Sequence, residues 1–96
     1  MEIEPKQNQT TELLADEEID IGVASRVVLY NDDWHTFDEV INQLIKATEC
    51  TYDKARGFAF EVHVKGKAIV FNGPLNQCLK VSSVLEEIAL NTQIIT

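Results

Sequence analysis

The sequence predicts an α+β domain in which a small antiparallel three-stranded sheet packs against three helices. The chain has 96 residues, which suits one domain, and 45% of them are hydrophobic, which is enough for a core. Strand-like and helix-like segments follow one another in the order β-α-α-β-α-β. The connections between them are short, a pattern typical of helices that cover one face of an antiparallel sheet.

The acidic residues are concentrated at the start of the chain. Residues 1–25 contain seven acids and one lysine, a net charge of −6, whereas residues 26–96 contain nine acids and seven bases, a net charge of −2. Low hydrophobicity with net charge predicts a flexible acidic arm over residues 1–25, either a frayed end or a segment that docks on a partner. The nearly balanced domain over residues 26–96 argues against a nucleic-acid partner, which would require clustered Lys and Arg.

The first predicted strand and helix flank a polar loop. Residues 26–30, Arg-Val-Val-Leu-Tyr, predict a strand, and the polar residues 31–33 favour a turn after it. Thr36 and Glu39 have the spacing of a capping box, which predicts a helix over residues 37–49. The apolar residues of this helix recur at helical spacing: Phe37, Val40, Ile41, Leu44 and Ile45.

A second helix and strand follow the first pair. Thr51 is a capping residue that predicts a helix to about Val62, with His63 at its C-terminal end. Gly66 predicts a turn. Residues 67–71 are rich in β-branched and aromatic side chains and predict the second strand.

A third helix and a short strand complete the domain. Pro74 suits the first turn of a helix that would end at Asn91. Residues 93–96 predict the last strand. The predicted inward face of the helix consists of Leu75, Cys78, Leu79, Ser82, Leu85, Ile88 and Ala89.

Cysteine usage and hydropathy indicate the compartment. Cys50 and Cys78 are far apart in the chain, and we expect them to be reduced thiols of a cytosolic protein. The sequence does not open with a cationic and apolar signal segment, and no apolar run approaches the ~20 residues that span a bilayer. We therefore expect a cytoplasmic protein that does not associate with membranes.

The residues with chemical potential cluster around the first loop and the end of the second helix. The sequence contains no nucleophile elbow, P-loop, dinucleotide fingerprint, zinc-cysteine spacing or HExxH motif, so it indicates no enzyme, cofactor or metal. Its concentrated polar residues are Asn31, Asp32, Asp33, His35 and His63. Carboxylates, a carboxamide and a neutral imidazole all accept hydrogen bonds, whereas an ammonium group only donates them.

Apolar residues near this set would decide what kind of amine it binds. If they line a cavity beside the polar loop, the site suits an amine attached to an apolar side chain. A peptide N-terminus that begins with a bulky residue has this chemistry. The apolar residues in question are Phe37, Val40, Ala59 and Val62.

Other interpretations of the same residues stay open. Asp32 and Asp33 can simply be turn and capping residues, and His63 can be favoured at a helix C-terminus by the helix dipole. Carboxylate and imidazole groups can also bind a metal ion. A small metal-dependent hydrolase that uses Asp32, Asp33, His35 and His63 is therefore an alternative of a different class.

Two segments resemble the ClpS adaptors of the bacterial N-end rule pathway. One is residues 28–34, Val-Leu-Tyr-Asn-Asp-Asp-Trp, ahead of a helix, and the other is residues 62–69, Val-His-Val-Lys-Gly-Lys-Ala-Ile. The resemblance covers about residues 26–96, and an unaligned arm precedes this region in the family as well. It implies an α+β fold similar to the C-terminal domain of ribosomal protein L7/L12 and an adaptor without catalysis.

The resemblance also implies roles for individual residues. By position, Asn31, Asp32 and His63 would hold the α-amino group of a substrate's first residue, with polar support from Asp33 and His35. The hydrophobic pocket would consist of Phe37 as its gate, Val40, Ala59 and Val62, with a wall from Ile94 or Ile95 in the final strand.

Partners follow from the same resemblance. The family binds proteins that begin with Leu, Phe, Tyr or Trp and delivers them to a ClpA or ClpC unfoldase with ClpP, and the unfoldase engages the arm. We expect a monomer that needs no cofactor. His35, Thr36 and Phe37 stand where the commoner family loop has Thr, often Pro, and Met. An adaptor that docks on a Clp unfoldase but has altered substrate specificity is therefore an alternative.

Overall fold

The computed structural model describes residues 24–96 of the chain. Its elements are β1 (Ala24–Tyr30), α1 (Phe37–Thr48), α2 (Tyr52–Lys65), β2 (Lys67–Pro74), α3 (Leu75–Glu86) and β3 (Asn91–Ile95). The predicted order β-α-α-β-α-β is confirmed, although β1 begins at Ala24 and not at Arg26. The predicted arm lies, up to residue 23, outside the described residues. No helix within residues 24–96 is long and apolar enough to cross a bilayer.

β1 is the central strand of a three-stranded antiparallel sheet with the order β2-β1-β3. Its last residue, Tyr30, pairs with Lys67 of β2 and with Asn91 of β3. The carboxyl end of β1 therefore meets the points where α2 leads into β2 and α3 leads into β3. A bulge between Val27 and Val28 shifts the register in which β1 pairs with β2. The loop after β1 thus starts beside the α2–β2 and α3–β3 connections, and this position brings their residues close to the loop.

The three helices cover one face of this sheet. Successive strand residues point to opposite faces, so Val27 and Leu29 enter the core while Ile69 and Ile95 remain exposed on the other face. Full burial of an aliphatic side chain contributes about 1.5–3 kcal/mol, so this apolar layer is the main source of stability. The helical core residues are Ile41, Leu44, Ala55, Ala59, Val62, Cys78, Val81 and Leu85.

α1 begins with the capping box that the sequence predicts. The Glu39 N–H donates to the Thr36 hydroxyl at 3.1 Å, and the Thr36 N–H donates to the Glu39 carboxylate at 2.8 Å. These bonds satisfy two N–H groups that have no partner inside the helix. The capping box fixes where the polar loop ends and the helix begins.

Replacing Thr36 with alanine is expected to lower the free energy of unfolding by about 1 kcal/mol, because the first turn of α1 loses its side-chain acceptor. Urea denaturation followed by circular dichroism measures this change. Thr36→Ser is the control, because serine keeps the hydroxyl and should retain most of the stability. Equal stability of the alanine variant and the native chain would contradict the role of the cap.

α2 ends at a glycine in a left-handed conformation. Gly66 has a φ of 90°, and its N–H donates to the Val62 carbonyl at 2.9 Å. The helix continues to Lys65, beyond the predicted end near Val62, so His63 lies within its last turn. The Asn31 N–H donates to the Gly66 carbonyl at 2.9 Å, so the pairing of β1 with β2 continues into the cap of α2.

α3 is shorter than the sequence predicts. It ends at Glu86 and not at Asn91, because Ala89 adopts a left-handed φ of 64° and turns the chain back. The Leu90 N–H then donates to the Leu85 carbonyl at 3.3 Å, and Leu90 becomes buried. Asn91 consequently starts β3. The predicted inward face of α3 also contains two errors, since Leu79 is 51% exposed and Ala89 is exposed in the turn after the helix.

Candidate functional site

A cavity of about 330 Å³ opens between the loop after β1, the first turns of α1 and the last turns of α2. Of the eleven residues predicted for the site, nine line it: Asn31, Asp32, Asp33, His35, Phe37, Val40, Ala59, Val62 and His63. Thr36 completes the lining. Residues far apart in sequence therefore share one cavity, because the end of β1 lies beside the end of α2.

The apolar residues of the cavity range from buried ones at its floor to an exposed one at its entrance. Ala59 and Val62 are each 3% exposed and belong to the core cluster, so they form the floor. Val40 is half-buried, and Phe37 is 39% exposed at the beginning of α1. An apolar group that entered the cavity would therefore pass Phe37 before it reached the core.

Asp32 organises the polar loop. One carboxylate oxygen accepts hydrogen bonds from the backbone N–H groups of Trp34, at 3.0 Å, and His35, at 2.8 Å. The other oxygen lies 2.6 Å from Nδ1 of His35. Burial raises the pKa of the Asp32 carboxyl, but these hydrogen bonds and the charge of His35 outweigh it and lower the pKa below its usual value. Asp32 is therefore an ionised carboxylate that already holds the loop around it.

His35 links this loop to a distant part of the chain. Its Nε2 lies 2.5 Å from the carbonyl oxygen of Ile88, in the turn between α3 and β3. The ring of Trp34 lies against it, with centroids 4.1 Å apart and planes tilted by 31°. Burial lowers the pKa of the imidazole, but the hydrogen bonds to Asp32 and Ile88 and the charges of Asp32 and Glu39 raise it above its usual value.

Asn31, Asp33 and His63 are exposed polar residues of the lining. Asn31 follows β1 directly, and His63 projects from the last turn of α2, so the carboxamide and the second imidazole approach from two elements. The backbone bond between Asn31 and Gly66 holds those elements together. Together with Asp32, these groups form a polar lip above the apolar floor.

Ile94 and Ile95, predicted as a wall of the pocket, do not line this cavity in the described part of the chain. β3 pairs with β1 on the side away from β2, and its two isoleucines face opposite sides of the sheet. Ile94 is half-buried and packs against the core, whereas Ile95 lies on the uncovered face with Ile69. The placement of these residues is therefore a correction, caused by the position of β3 at the far edge of the sheet.

The same geometry bears on the metal hypothesis. Within residues 24–96, no three His, Cys, Asp or Glu side chains converge as a metal site would require. Asp32 and both nitrogens of His35 are instead engaged with one another and with Ile88.

Sequence reasoning missed two contributors to the site. Thr36 lines the cavity in addition to capping α1, and its place beside the predicted loop residues was the available signal. The Ile88 carbonyl binds His35, but a backbone carbonyl has no signature in the sequence. Only the turn at Ala89 brings that carbonyl toward the loop.

Comparisons with known proteins agree with this fold. The family model described as ATP-dependent Clp protease adaptor protein ClpS matches residues 24–93. Human E3 ubiquitin-protein ligase UBR2 is 40% identical over 58 residues, which are 60% of this chain and 3% of that protein. The ATP-dependent Clp protease adapter protein ClpS of Nitratidesulfovibrio vulgaris is 37% identical over 62 residues, 65% of this chain and 62% of that protein. The chain thus spans a small part of the ligase and less than two thirds of the adapter.

A solved structure supports the architecture. The structure of Agrobacterium tumefaciens ClpS2 bound to L-phenylalaninamide has a TM-score of 0.68 and 20% identity to this chain, and the match covers 75% of this chain and 94% of that one. At this identity the match shows that the three-stranded sheet and its three helices have the same arrangement. Because the family model matches nearly all of the described residues, the chain belongs to the ClpS family of ATP-dependent Clp protease adaptors.

Proposed function

We propose that this chain is an N-degron-binding adaptor. It binds proteins whose first residue is Leu, Phe, Tyr or Trp and delivers them to a Clp AAA+ unfoldase and its ClpP protease, without catalysing a reaction itself. The observation that carries this proposal is that a polar lip and an apolar floor share one cavity of about 330 Å³. A bulky N-terminal residue has a cation and an apolar side chain on the same carbon, and so matches both parts.

The polar lip suits an ammonium group. Asn31 offers a carboxamide oxygen, Asp32 a carboxylate, and His63 an imidazole nitrogen when it is neutral. An ammonium group has three donors and no acceptor, so three acceptors around it would satisfy it. An N-acetylated peptide lacks this cation and presents a single N–H. The lip therefore favours a free N-terminus over a blocked one.

The size of the cavity suits one side chain. Its volume lies at the lower end of the range for small-molecule pockets, about 300–1,000 Å³. Burying a Leu or Phe side chain there would contribute about 1.5–3 kcal/mol. The similar fold of Agrobacterium ClpS2 holds L-phenylalaninamide, a compound with a free α-amino group and an aromatic side chain. We propose the same ligand class for this chain.

The delivery partner belongs to the proposal as well. We propose a ClpA- or ClpC-type unfoldase in the cytoplasm, with the adaptor acting as a monomer and residues 1–25 serving as the segment that the unfoldase engages. The family description, an adaptor of the ATP-dependent Clp protease, supports this assignment. The net charge of −6 on that segment sets it apart from the nearly balanced domain.

A second candidate function is an adaptor of the same protease with altered specificity. The observation that favours it is Phe37, which is 39% exposed at the entrance to the cavity. A phenylalanine ring is stiffer than an unbranched side chain such as Met, so it narrows the range of shapes that can enter. The two candidates differ only in the order of preferred first residues.

Fluorescence anisotropy with labelled decapeptides tests both candidates. We expect micromolar or tighter binding of peptides that begin with Phe or Leu, and loss of binding when the α-amino group is acetylated, because acetylation removes the cation. The affinities for peptides that begin with Trp, Ile or Met then show how Phe37 changes the order of preferred first residues.

Each outcome has a distinct meaning. Binding of Ile or Met peptides in preference to Phe and Leu would favour altered specificity. Equal affinity for free and acetylated peptides would contradict an amine site, and no binding of any peptide would contradict N-degron recognition altogether.

A further inference from the structure

His35 is held between two hydrogen-bond acceptors. Its side chain is only 4% exposed, its Nδ1 lies 2.6 Å from the Asp32 carboxylate, and its Nε2 lies 2.5 Å from the Ile88 carbonyl oxygen. An ionised carboxylate and a backbone carbonyl have no proton to donate. Both ring nitrogens must therefore carry a proton if both bonds are to form, and a histidine with two N–H groups is an imidazolium.

The bond to Asp32 lies within the loop, whereas the bond to Ile88 ties the loop to the turn between α3 and β3. Asp32 and His35 belong to the loop between β1 and α1, and Ile88 belongs to the turn between α3 and β3. The backbone groups that Asp32 accepts from, Trp34 and His35, shape the polar lip of the cavity. The Trp34 ring covers one side of the imidazole and limits access of water to it. The loop is thus fixed at one end by β1 and in its middle by His35.

We propose that His35 is a positioning residue whose imidazolium form clamps the amine-binding loop to the α3–β3 turn, so that its deprotonation loosens the loop and weakens binding of the substrate N-terminus. This inference rests on the proposed function, because the binding that it modulates is N-terminal recognition. A neutral imidazole can donate from only one nitrogen, so one of the two bonds is lost and an acceptor is left facing a lone pair. The His35 ring then keeps its hydrogen bond to Asp32 or to Ile88, but not to both.

The charges around His35 determine the direction of the effect. Asp32 and Glu39 favour the imidazolium, Asp33 and His63 share the cavity with it, and the α3–β3 turn contributes the Ile88 carbonyl. Of the acids next to that turn, Glu86 accepts hydrogen bonds from Ser82 and Thr92, and Glu87 from Lys46.

The pKa of His35 is raised above 6.5, the value that applies to an unfolded chain. Its contribution to stability is therefore full below 6.5 and is lost as the pH rises through the higher pKa of the folded state. The clamp should therefore hold below pH 6.5 and loosen as the pH rises through the higher pKa of the folded state.

Imidazole NMR tests the state of the ring directly. The chain contains two histidines, so a His63→Gln variant assigns the resonances of His35 without ambiguity. We expect His35 to titrate above 6.5 and to show both N–H protons below its pKa. Titration at or below 6.5, or an unprotonated ring nitrogen at about pH 6, would overturn the clamp.

Peptide binding tests its consequence. Affinities for a peptide that begins with Phe are compared between the native chain and His35→Gln across the pH range. Protonation of the peptide amine, whose pKa is about 7.7–8.0, affects both proteins equally and therefore cancels in the ratio of the two affinities. We expect the variant to bind about three- to tenfold more weakly at about pH 6, and the ratio to approach one as the pH rises above the pKa that the NMR titration gives for His35.

The two measurements separate the possible failures. A ratio that does not change with pH would mean that His35 matters only for its shape, and would overturn the proposal. If His35→Gln does not fold, the NMR titration still decides, because titration of the native ring at or below 6.5 overturns the clamp. Failure of the native chain to bind at any pH would overturn the proposed function and the binding part of this inference, while the titration would still report on the clamp.

Discussion

Replacing Asp32 with alanine is expected to weaken binding of a peptide that begins with Phe by about 10- to 100-fold. A hydrogen bond to a charged group contributes about 1.5–3 kcal/mol, and each 1.4 kcal/mol corresponds to about a factor of ten in affinity. In this chain the carboxylate also accepts from the N–H groups of Trp34 and His35 and from the His35 ring. The substitution therefore removes a ligand for the amine and the acceptor that shapes the loop.

Two variants separate these contributions. Asp32→Asn keeps an oxygen for the two backbone N–H groups but removes the charge that pairs with His35, so we expect an intermediate loss of affinity. Asp53→Ala removes the same charge from an exposed residue in the first turn of α2, outside the cavity lining, and we expect a change of less than about threefold. Titration of labelled peptide at constant pH measures all three. Native affinity in the Asp32→Ala variant would refute the assignment of this carboxylate to the site.

The lowered pKa of Asp32 adds a check on stability. A carboxyl group whose pKa is lower in the folded state stabilises the fold above its unfolded value of 3.8, and this contribution is lost as the pH falls through the folded pKa. Asp32→Asn should therefore be less stable than the native chain near neutral pH. The difference between the two should shrink below a pH of about 3.8.

Replacing Ala59 with leucine is expected to weaken binding of a peptide that begins with Trp by about tenfold or more. Ala59 is 3% exposed and forms part of the floor, so a larger side chain fills space that the ligand would occupy. A change of one methylene group in an apolar pocket alters recognition by about 1–3 kcal/mol. A peptide that begins with Leu reaches less deeply than one that begins with Trp, and its affinity should fall less.

The controls for this variant lie on the same helix. Phe60→Leu changes the next residue of α2, whose side chain is 61% exposed, and should leave the affinity for both peptides unchanged. Overpacking a core position costs about 1–3 kcal/mol, so thermal melting must show that Ala59→Leu remains folded at the assay temperature. Unchanged Trp affinity in a folded variant would mean that first residues do not reach the floor of the cavity.

Much of this architecture could be read from the sequence because the signals are local. The capping box at Thr36 and the apolar spacing of α1 predict a helix that begins at Phe37, as found. Ala59 and Val62 likewise continue the helical spacing of Ala55 and Phe58, and both are buried on α2. The end of α3 was mispredicted because the break depends on a left-handed backbone at Ala89, and alanine carries no signal for that conformation.

The parts of the site that escaped prediction depend on long-range geometry. The position of Ile94 depends on which edge of the sheet β3 occupies, and strand order is not encoded in periodicity. The bond between His35 and Ile88 joins residues 53 positions apart and uses a backbone carbonyl. The sequence indicated a polar group at position 35, but only the fold shows that both of its nitrogens are engaged.

The backbone bond from the Asn31 N–H to the Gly66 carbonyl has a kinetic consequence. It joins the start of the loop, at Asn31, to the end of the helix that carries His63, so the two sides of the lip are held side by side before any peptide arrives. A preformed site needs no slow backbone rearrangement on binding. Peptides with different first residues should then associate at similar rates, and the adaptor would discriminate among them by residence time.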